Sequence, residues 1–426
     1  MKIKFIAVIL TLASLLGCIF ACAEQKQPSV SSDDEAPGVL DSEYVVVRAE
    51  TSDKLTTEAA VTLRALINEK ASLDIQIKTD YLKKDEKAAE KEIVVGKTNR
   101  DVQFDRTTLT QGQYYVGIEG KRVIIDAYDS LTLNLAIPEI VENWFTLGEG
   151  TFMLDEKVLS DLSSTKDLSS ISIRVMSQNI RYANDGNGND IKQRAPRFKQ
   201  LVEMYQPDII GTQESTATWN AYYQAYFKDV YGMVGCSRDG RNETVSGEWG
   251  TILYRLDRFE LLDSDDFWLT STPGKVSRVP GSACNRICTW ALLKDKQTGQ
   301  KLVMANTHLD YINDEVKLEQ YKYLMQGLSE MIEKYPLYLT GDFNATLKSP
   351  VYAKASQDLN DPYVKALENR STVNHTADGY GTSSSDIIDY CFYDDDSIAV
   401  WYKILSEQFG GYISDHFGVI AEFVIK

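Results

Sequence analysis

Hydrophobic and polar positions alternate along this chain in two stretches of mixed helix and strand periodicity. They follow an apolar amino terminus and a polar spacer. Residues 43 to about 160 read as a small α/β unit. Tyr44–Arg48 and Glu92–Gly96 are short apolar runs that predict strands. Between them, Thr56–Glu69 has helical spacing, with Ala60, Leu63, Leu66 and Ile67 on one side. Tyr114–Ile118 and Arg122–Asp126 flank Glu119-Gly120, a hairpin signal. Leu131–Phe145 predicts a second amphipathic helix, with Pro138 as a point of kinking or splitting. Asp161–Ser170 is a Ser/Asp-rich linker. Beyond it the pattern predicts strands over Ile171–Ile180, Ile209–Gly211, Thr251–Tyr254, Lys301–His308, Pro336–Thr340, Ile387–Tyr393 and Phe417–Val424. Helical spacing appears over Gln193–Tyr205 and Asp314–Lys334. No repeat of solenoid period interrupts this region.

The amino terminus adds a destination. Lys2 and Lys4 precede an apolar run, Phe5–Gly17, too short to span a bilayer and suited to an export signal. Leu15-Leu16-Gly17-Cys18 resembles a bacterial lipobox, and Ile19-Phe20-Ala21-Cys22 is a looser match. Residues 1–22 are therefore expected to be a signal or lipoprotein segment, and 23–42 a flexible tether. The expectation is an exported, monomeric cell-envelope protein held to a membrane by a lipid anchor. Plain secretion is the alternative.

Composition narrows the function. The formal net charge of −17 argues against a general nucleic-acid binder, which would carry a basic face. It leaves phosphate chemistry open, because a divalent cation inverts the local field. Beyond the leader the cysteines are Cys236, Cys284, Cys288 and Cys391. No CxxC occurs and none of the three histidines lies near a cysteine pair, which argues against zinc. Their pairing cannot be deduced from spacing.

Candidate chemistry collects at the ends of the predicted strands. Leu337–Thr340 runs into Gly341-Asp342-Phe343-Asn344. On an extended backbone, Asp342 and Asn344 would emerge on one face. A carboxylate can activate water and an amide can bind a phosphoryl oxygen, a pairing suited to phosphate-ester hydrolysis. The same residues could equally form an Asp-capped turn. Other strand ends deliver Gln178-Asn179, Gln213-Glu214, Thr307-His308, Asp389-Tyr390 and Ser414-Asp415-His416. Turn chemistry alone does not account for that set.

In this order, Gln178-Asn179, Gln213-Glu214, Thr307-His308-Leu309, Gly341-Asp342-Phe343-Asn344, Ile388-Asp389-Tyr390 and Ser414-Asp415-His416 resemble the endonuclease/exonuclease/phosphatase superfamily. The resemblance covers residues 171–426. It implies an α+β fold, a four-layer αββα sandwich of the DNase-I-like type, with its site at one edge. It also implies a metal-dependent phosphoric ester hydrolase using Mg²⁺, with Mn²⁺ as a substitute. Glu214 would be the principal metal ligand, with Asn179 and Asp415 in support. Asp342 would orient water and Asn344 would hold a phosphoryl oxygen. Asp389 would orient His416 against the phosphate, where it would act as base or clamp. His308 would protonate the leaving oxygen or bind phosphate, and Arg286 would meet the phosphate or pair with a carboxylate. His375, in a polar loop, is either a mouth residue or a plain loop residue.

The preceding unit is similar, through Val94-Val95-Gly96, Tyr115-Val116-Gly117 and Val123–Ala127, to the accessory domain before hexosaminidase and glucuronidase barrels. An accessory role in packing or binding follows for residues 43–160. A small or lipid-linked phosphate ester is the favoured substrate, and nucleic acid the second. The contrasting reading is an inactive surface protein that grips glycan through residues 43–160.

Overall fold

The computed structural model describes residues 39–143, 145–148, 151–154, 163–165, 171–242, 246–384 and 386–426. The signal segment with Cys18 and Cys22, and the tether up to residue 38, lie outside the described residues. The chain divides into two compact units. Among the described residues, one takes 39–106, 115–126 and 136–163. The other takes Thr107–Tyr114, Ala127–Leu135 and Ser164–Lys426.

In the first unit, parallel strands Gln76–Thr79, Val45–Arg48, Glu92–Val95 and Arg122–Ala127 lie side by side in that order. Gln113–Glu119 neighbours the last of them, as the hairpin signal predicts. Helix Lys54–Ala71 begins where Asp53 Oδ1 accepts the Thr56 amide at 2.8 Å, a side-chain cap. It buries Ala59, Ala60, Leu63 and Ile67. Helix Ser130–Asn143 runs unbroken with Pro138 inside it. Two expected linkers hold strands. Val39–Leu40, the end of the expected tether, pairs with Thr151–Leu154. Ser163–Thr165 is an edge strand.

The second unit contains a seven-stranded and a five-stranded sheet. In the first, Ser172–Asn179 lies between parallel Ile209–Ser215 and antiparallel Gly418–Ile425. In the second, the order is Phe259–Trp268, Ile287–Asp295, Lys301–His308, Leu337–Asp342 and Asp389–Tyr393. Val175, Ile209, Ile252, Ala421 and Phe423 share one core with Met304, Ala305, Leu339 and Cys391 of the other sheet. Helices Ile191–Tyr205 and Ala217–Phe227 cover the outer face of the first sheet through Phe198, Leu201, Trp219 and Tyr223. Asp314–Ile332 and Pro350–Asp358 cover the second through Tyr321, Leu324, Leu328, Val351 and Ala355. The layers are therefore helix, sheet, sheet, helix. Leu337–Asp342 is buried at every position, as a strand covered on both faces must be.

Toward one end of the sandwich the inter-sheet core turns polar. Gln213 Nε2 donates to Asn306 Oδ1 at 2.7 Å, and Thr340 Oγ1 donates to the same oxygen at 3.0 Å. Gly211 permits this crossing, since a Cβ there would stand 1.9 Å from Thr340 Oγ1. The strand carrying Gln213 continues directly into Glu214.

Asp361 is the one carboxylate on which the fold's pH dependence is most simply read. It caps Pro362–Lys365 by accepting the Tyr363 amide at 2.9 Å, and it accepts Tyr352 Oη at 3.0 Å. Burial outweighs these bonds and pushes the carboxyl up to about 6. The folded chain thus holds this proton more tightly than the unfolded chain, so stability is lost as pH rises from about 4 through about 6. Asp361→Asn should flatten that slope, by on the order of 1–3 kcal/mol in the unfolding free energy across the interval. Urea unfolding at pH 4 and pH 7 checks it.

Candidate active site

Neighbouring strand ends set the site in register. His308 pairs with Asp342 on the parallel ladder, and Asp342 pairs with Asp389 on the antiparallel ladder. Directly paired residues project to the same face. The register therefore places an imidazole and two carboxylates in a row at the sheet's end. Gly341 makes the approach close: a Cβ there would stand 2.7 Å from the Thr307 carbonyl oxygen.

Asp342 is buried, 2% exposed. Its Oδ2 accepts Asn179 Nδ2 at 3.0 Å, and its Oδ1 accepts the Asn344 amide at 2.8 Å. The second bond corrects the expectation of an extended Asp342–Asn344 segment. The strand ends at Asp342, and Asn344 has φ +47°, a left-handed conformation. A polar side chain that accepts its own backbone two residues on favours this turn over extension. The turn still brings Asn344 to the same place as Asp342, since both reach His308 Nε2, Asp342 Oδ2 at 3.5 Å. Asn344 Nδ2 donates to the Leu309 carbonyl at 3.0 Å and lies 3.1 Å from His308 Nε2. The carbonyl fixes the amide's orientation, so His308 Nε2 is an acceptor and carries no proton. Lys317 Nζ pins the turn through the Asn344 carbonyl at 2.6 Å.

His416 Nδ1 lies 2.9 Å from Asp389 Oδ2 and 3.9 Å from Asp342 Oδ2. Burial works against the imidazolium, but Asp389, Asp342 and Asp415 outweigh it and push the ring up to about 10. Asp342 moves up to about 7 because it is buried and beside Asp389; His416 pulls the other way. His308 is held well below the ordinary histidine range by burial and by Arg286 and Arg238. The two histidines therefore carry different charges at neutral pH.

Glu214 stands on the other sheet. A bulge between Thr212 and Ser215 and a φ of +61° turn its side chain out of the ladder. Glu214 Oε1 accepts Asn179 Nδ2 at 3.1 Å and its Oε2 accepts the Tyr182 amide at 3.0 Å. Asn179 thus bridges Glu214 to Asp342, joining the ends of the two sheets. Its Oδ1 accepts the Arg181 amide at 3.0 Å. Asp415 lies 3.6 Å from Arg181 Nε, and burial and the charge of Glu214 raise its carboxyl.

With this geometry, comparison with known proteins is decisive. A family model described as the endonuclease/exonuclease/phosphatase family matches residues 176–416. The chain belongs to that family. It is 26% identical to an RNA exonuclease of Saccharomyces cerevisiae, NGL1, over 53% of this chain and 82% of the yeast protein. Among solved structures, an endonuclease/exonuclease/phosphatase of Bacteroides vulgatus is 28% identical, with a TM-score of 0.57 over 60% of this chain and 99% of its own. A mannosyl-6-phosphatase of Bacteroides thetaiotaomicron is 29% identical, with a TM-score of 0.56 over 59% of this chain and 100% of its own. Family membership makes the chain a phosphate-ester hydrolase.

Around the family's residues the fold adds partners that the motifs did not mark. Thr376 Oγ1 accepts the amides of Ile388 and Asp389 at 3.0 and 3.2 Å, steadying the carboxylate that holds His416. His375 lies 3.4 Å from Asp378 and packs against Phe417. Arg194 is fully buried and donates to the carbonyls of Ile180, Arg181, Ala183 and Asn189, shaping the loop behind Asn179. Arg286 is 4% exposed. It shares a pocket with Glu214, Arg238, Glu248, Trp249 and His308. Arg194, Arg238 and Glu248 belong to none of the motifs, and only the fold brings them to the site.

The charged state of His416 can be read directly, because the chain has only three histidines. In metal-free protein its ring protons should titrate well above the ordinary histidine range. Asp389→Asn removes the paired charge and should lower that midpoint by about one unit or more. Two-dimensional NMR of the imidazole protons checks both values.

Proposed function

We propose that this chain is an exported, Mg²⁺-dependent phosphatase of small phosphate esters, with Mn²⁺ able to substitute. The observation that carries the reading is a cluster geometry: His416 Nδ1 lies 2.9 Å from Asp389 Oδ2, which holds the ring cationic, and 3.9 Å from Oδ2 of the buried Asp342, whose carboxyl burial raises. That combination supplies a base and a positive charge side by side at neutral pH. Asp342 accepts the proton of the attacking water. His416, protonated until about pH 10, serves as an electrostatic clamp for the phosphoryl oxygens and is a poor base. Neutral His308 keeps Nε2 toward Asn344, leaving Nδ1–H as the donor toward substrate. Arg286 offers its guanidinium fork to phosphate.

The donor set fits a divalent cation. Glu214 and Asp415 are neighbouring carboxylates whose mutual repulsion a cation would relieve, and oxygen donors suit Mg²⁺. Asp342, Asp389 and His416 also bring donor atoms within 4.8 Å of one another. Asp389 keeps His416 protonated, however, which removes its nitrogen from ligation, so we assign the cation to the Glu214 side. Asn179 would join through its amide oxygen after rotating away from Arg181, or stay a bridge that orients Glu214. Bound there, the ion would neutralise charge on the phosphoryl group.

Likeness to a mannosyl-6-phosphatase along its whole length supports a phosphorylated sugar as substrate. Likeness to an RNA exonuclease supports a nuclease as the second reading, which the net charge of −17 disfavours. Phe5–Gly17 and the lipobox-like Cys18 support export and lipid anchoring. Metabolic labelling with a radioactive fatty acid should mark the wild-type chain, and Cys18→Ala should abolish the label unless Cys22 is the acceptor.

A panel of sugar phosphates, p-nitrophenyl phosphate, phosphodiesters, inositol phosphate, lipid headgroup and RNA, with Mg²⁺ and with EDTA, tests the reading. Monoesters should be turned over only with metal. Asp342→Ala and His416→Ala should each lower kcat by about 10²–10⁴-fold with the fold intact. Near-wild-type turnover by either variant would sink the assignment.

A further inference from the structure

Glu214 and Asp415 are both carboxylates of the site, but their partners differ in charge. Glu214 accepts from neutral donors, Asn179 Nδ2 at 3.1 Å and the Tyr182 backbone amide at 3.0 Å. Asp415 faces a cation. Its Oδ2 lies 3.6 Å from Arg181 Nε, while its Oδ1 accepts Ser414 Oγ at 3.1 Å. Arg181 follows two residues behind Asn179 and belongs to none of the motifs that marked the site.

Arg181 is pinned from several sides. Its φ of +59° lies in the left-handed region, which a non-glycine residue occupies only when its surroundings hold it there. Its amide donates to Asn179 Oδ1 at 3.0 Å, and its carbonyl accepts Trp219 Nε1 at 2.9 Å and Arg194 Nη2 at 3.1 Å. Its guanidinium meets Asp185 through two parallel bonds, Nε to Oδ2 at 3.2 Å and Nη2 to Oδ1 at 3.1 Å. It also stands over the Tyr182 ring, 5.1 Å from the centroid. Tyr380 Oη donates to Asp185 Oδ2 at 2.7 Å and braces the pair. Tyr380 lies in a turn, Gly379–Gly381, whose three φ values are all positive. That turn is tied to Asp415, because the amides of Asp378 and Gly379 donate to the Asp415 carbonyl at 3.0 and 2.7 Å. One loop therefore holds Asp415 and, through Tyr380 and Asp185, the arginine that faces it.

We propose that Arg181 is a built-in counter-charge for Asp415, that it reserves the divalent cation for Glu214, and that it sets how weakly that cation is held. The proposal rests on the Mg²⁺-dependent reading and deepens it by naming what regulates cation affinity at the same site. Charge is one reason. Three carboxylates, Glu214, Asp415 and Asp185, set against the one guanidinium of Arg181 leave a formal −2, which a single divalent ion neutralises. Without Arg181 the group would attract a cation more strongly. Geometry is the other reason. A cation drawn toward Asp415 would approach a guanidinium that Asp185, Tyr182 and the backbone bonds keep from swinging aside. Mg²⁺ needs only one or two carboxylates besides its waters, so Glu214 suffices as the anionic ligand. An arginine that merely held Asp185 in place would leave cation affinity alone.

Mn²⁺ binding to the full-length protein, read from the electron paramagnetic resonance signal of free Mn²⁺, decides between these roles without any turnover. Arg181→Gln should lower the Kd by about tenfold or more, since affinity follows the charge count of the ligands. Arg181→Lys keeps the charge and should stay within about threefold of the wild type. Asp415→Asn should shift the wild-type Kd by less than about threefold, yet erase the gain when combined with Arg181→Gln, the non-additivity expected of coupled groups. A Kd unchanged or raised in Arg181→Gln overturns the proposal. So does a lysine variant that binds as tightly as the glutamine one, or an Asp415→Asn loss as large as that of Glu214→Gln. This last comparison leaves Arg181 in place and holds even where Arg181→Gln does not fold. Absence of Mn²⁺ binding by the wild type and by Arg181→Gln alike would instead overturn the metal reading beneath it.

Discussion

Two carboxylates in register at the ends of adjacent buried strands are the constraint around which this site is built. Asp342 and Asp389 face the same way by ladder geometry, and neither can escape to water. Like charges so placed do not both ionise freely. The protein settles the conflict with one imidazolium and one soft carboxyl: His416 is held charged by Asp389, and Asp342 is left near neutrality. Catalytic roles can then differ between chemically similar groups because their surroundings differ. Asn179 links this conflict to Glu214, since a single amide nitrogen reaches both Asp342 and Glu214.

The backbone bears the cost of this arrangement at particular positions. Glu214 and Asn344 both have left-handed φ values that non-glycine residues seldom adopt. Each lies where a strand must stop and aim a side chain. Bulge, capped turn and buried lysine hold them there. Removal of Lys317 or Thr376, neither of which touches a reacting atom, would loosen residues that do. The polar stratum of Gln213, Asn306 and Thr340 just below the site has the same character: the bonds that converge on Asn306 Oδ1 tie the two sheets together at this end.

Much of the layered fold and most of the site were legible in the sequence for one reason. Apolar runs end in polar residues, and in a sandwich those ends gather at one edge. Asn179, Glu214, His308, Asp342, Asp389 and His416 all fall on such ends. What was not legible had weak local signals. Phe259–Trp268 is an edge strand with a bulge and a polar middle, so its alternation is broken. Ala217–Phe227 is crowded with aromatics that do not reveal a helical face. The turn at Asn344 depends on a side-chain-to-backbone bond that competes with extension. Arg238 and Glu248 are ten residues apart and form their ion pair only in the fold. Their meaning comes from Trp268 and Arg286, which no local pattern brings beside them.

The acidic balance of the chain bears on substrate size. At −17 the molecule repels polyanions that come close, within the roughly 8–10 Å that physiological salt leaves unscreened. A strand of nucleic acid must bring many phosphates through that repulsion, and its affinity comes mainly from neutralising them. A single phosphate on a neutral alcohol meets the repulsion once. On the proposed reading it would then enter a place where Arg286, His416 and a cation held by Glu214 reverse the sign. On the proposed phosphatase reading, charge that looks unfavourable for phosphate chemistry across the whole molecule would act as a size filter, disfavouring the long ester more than the short one.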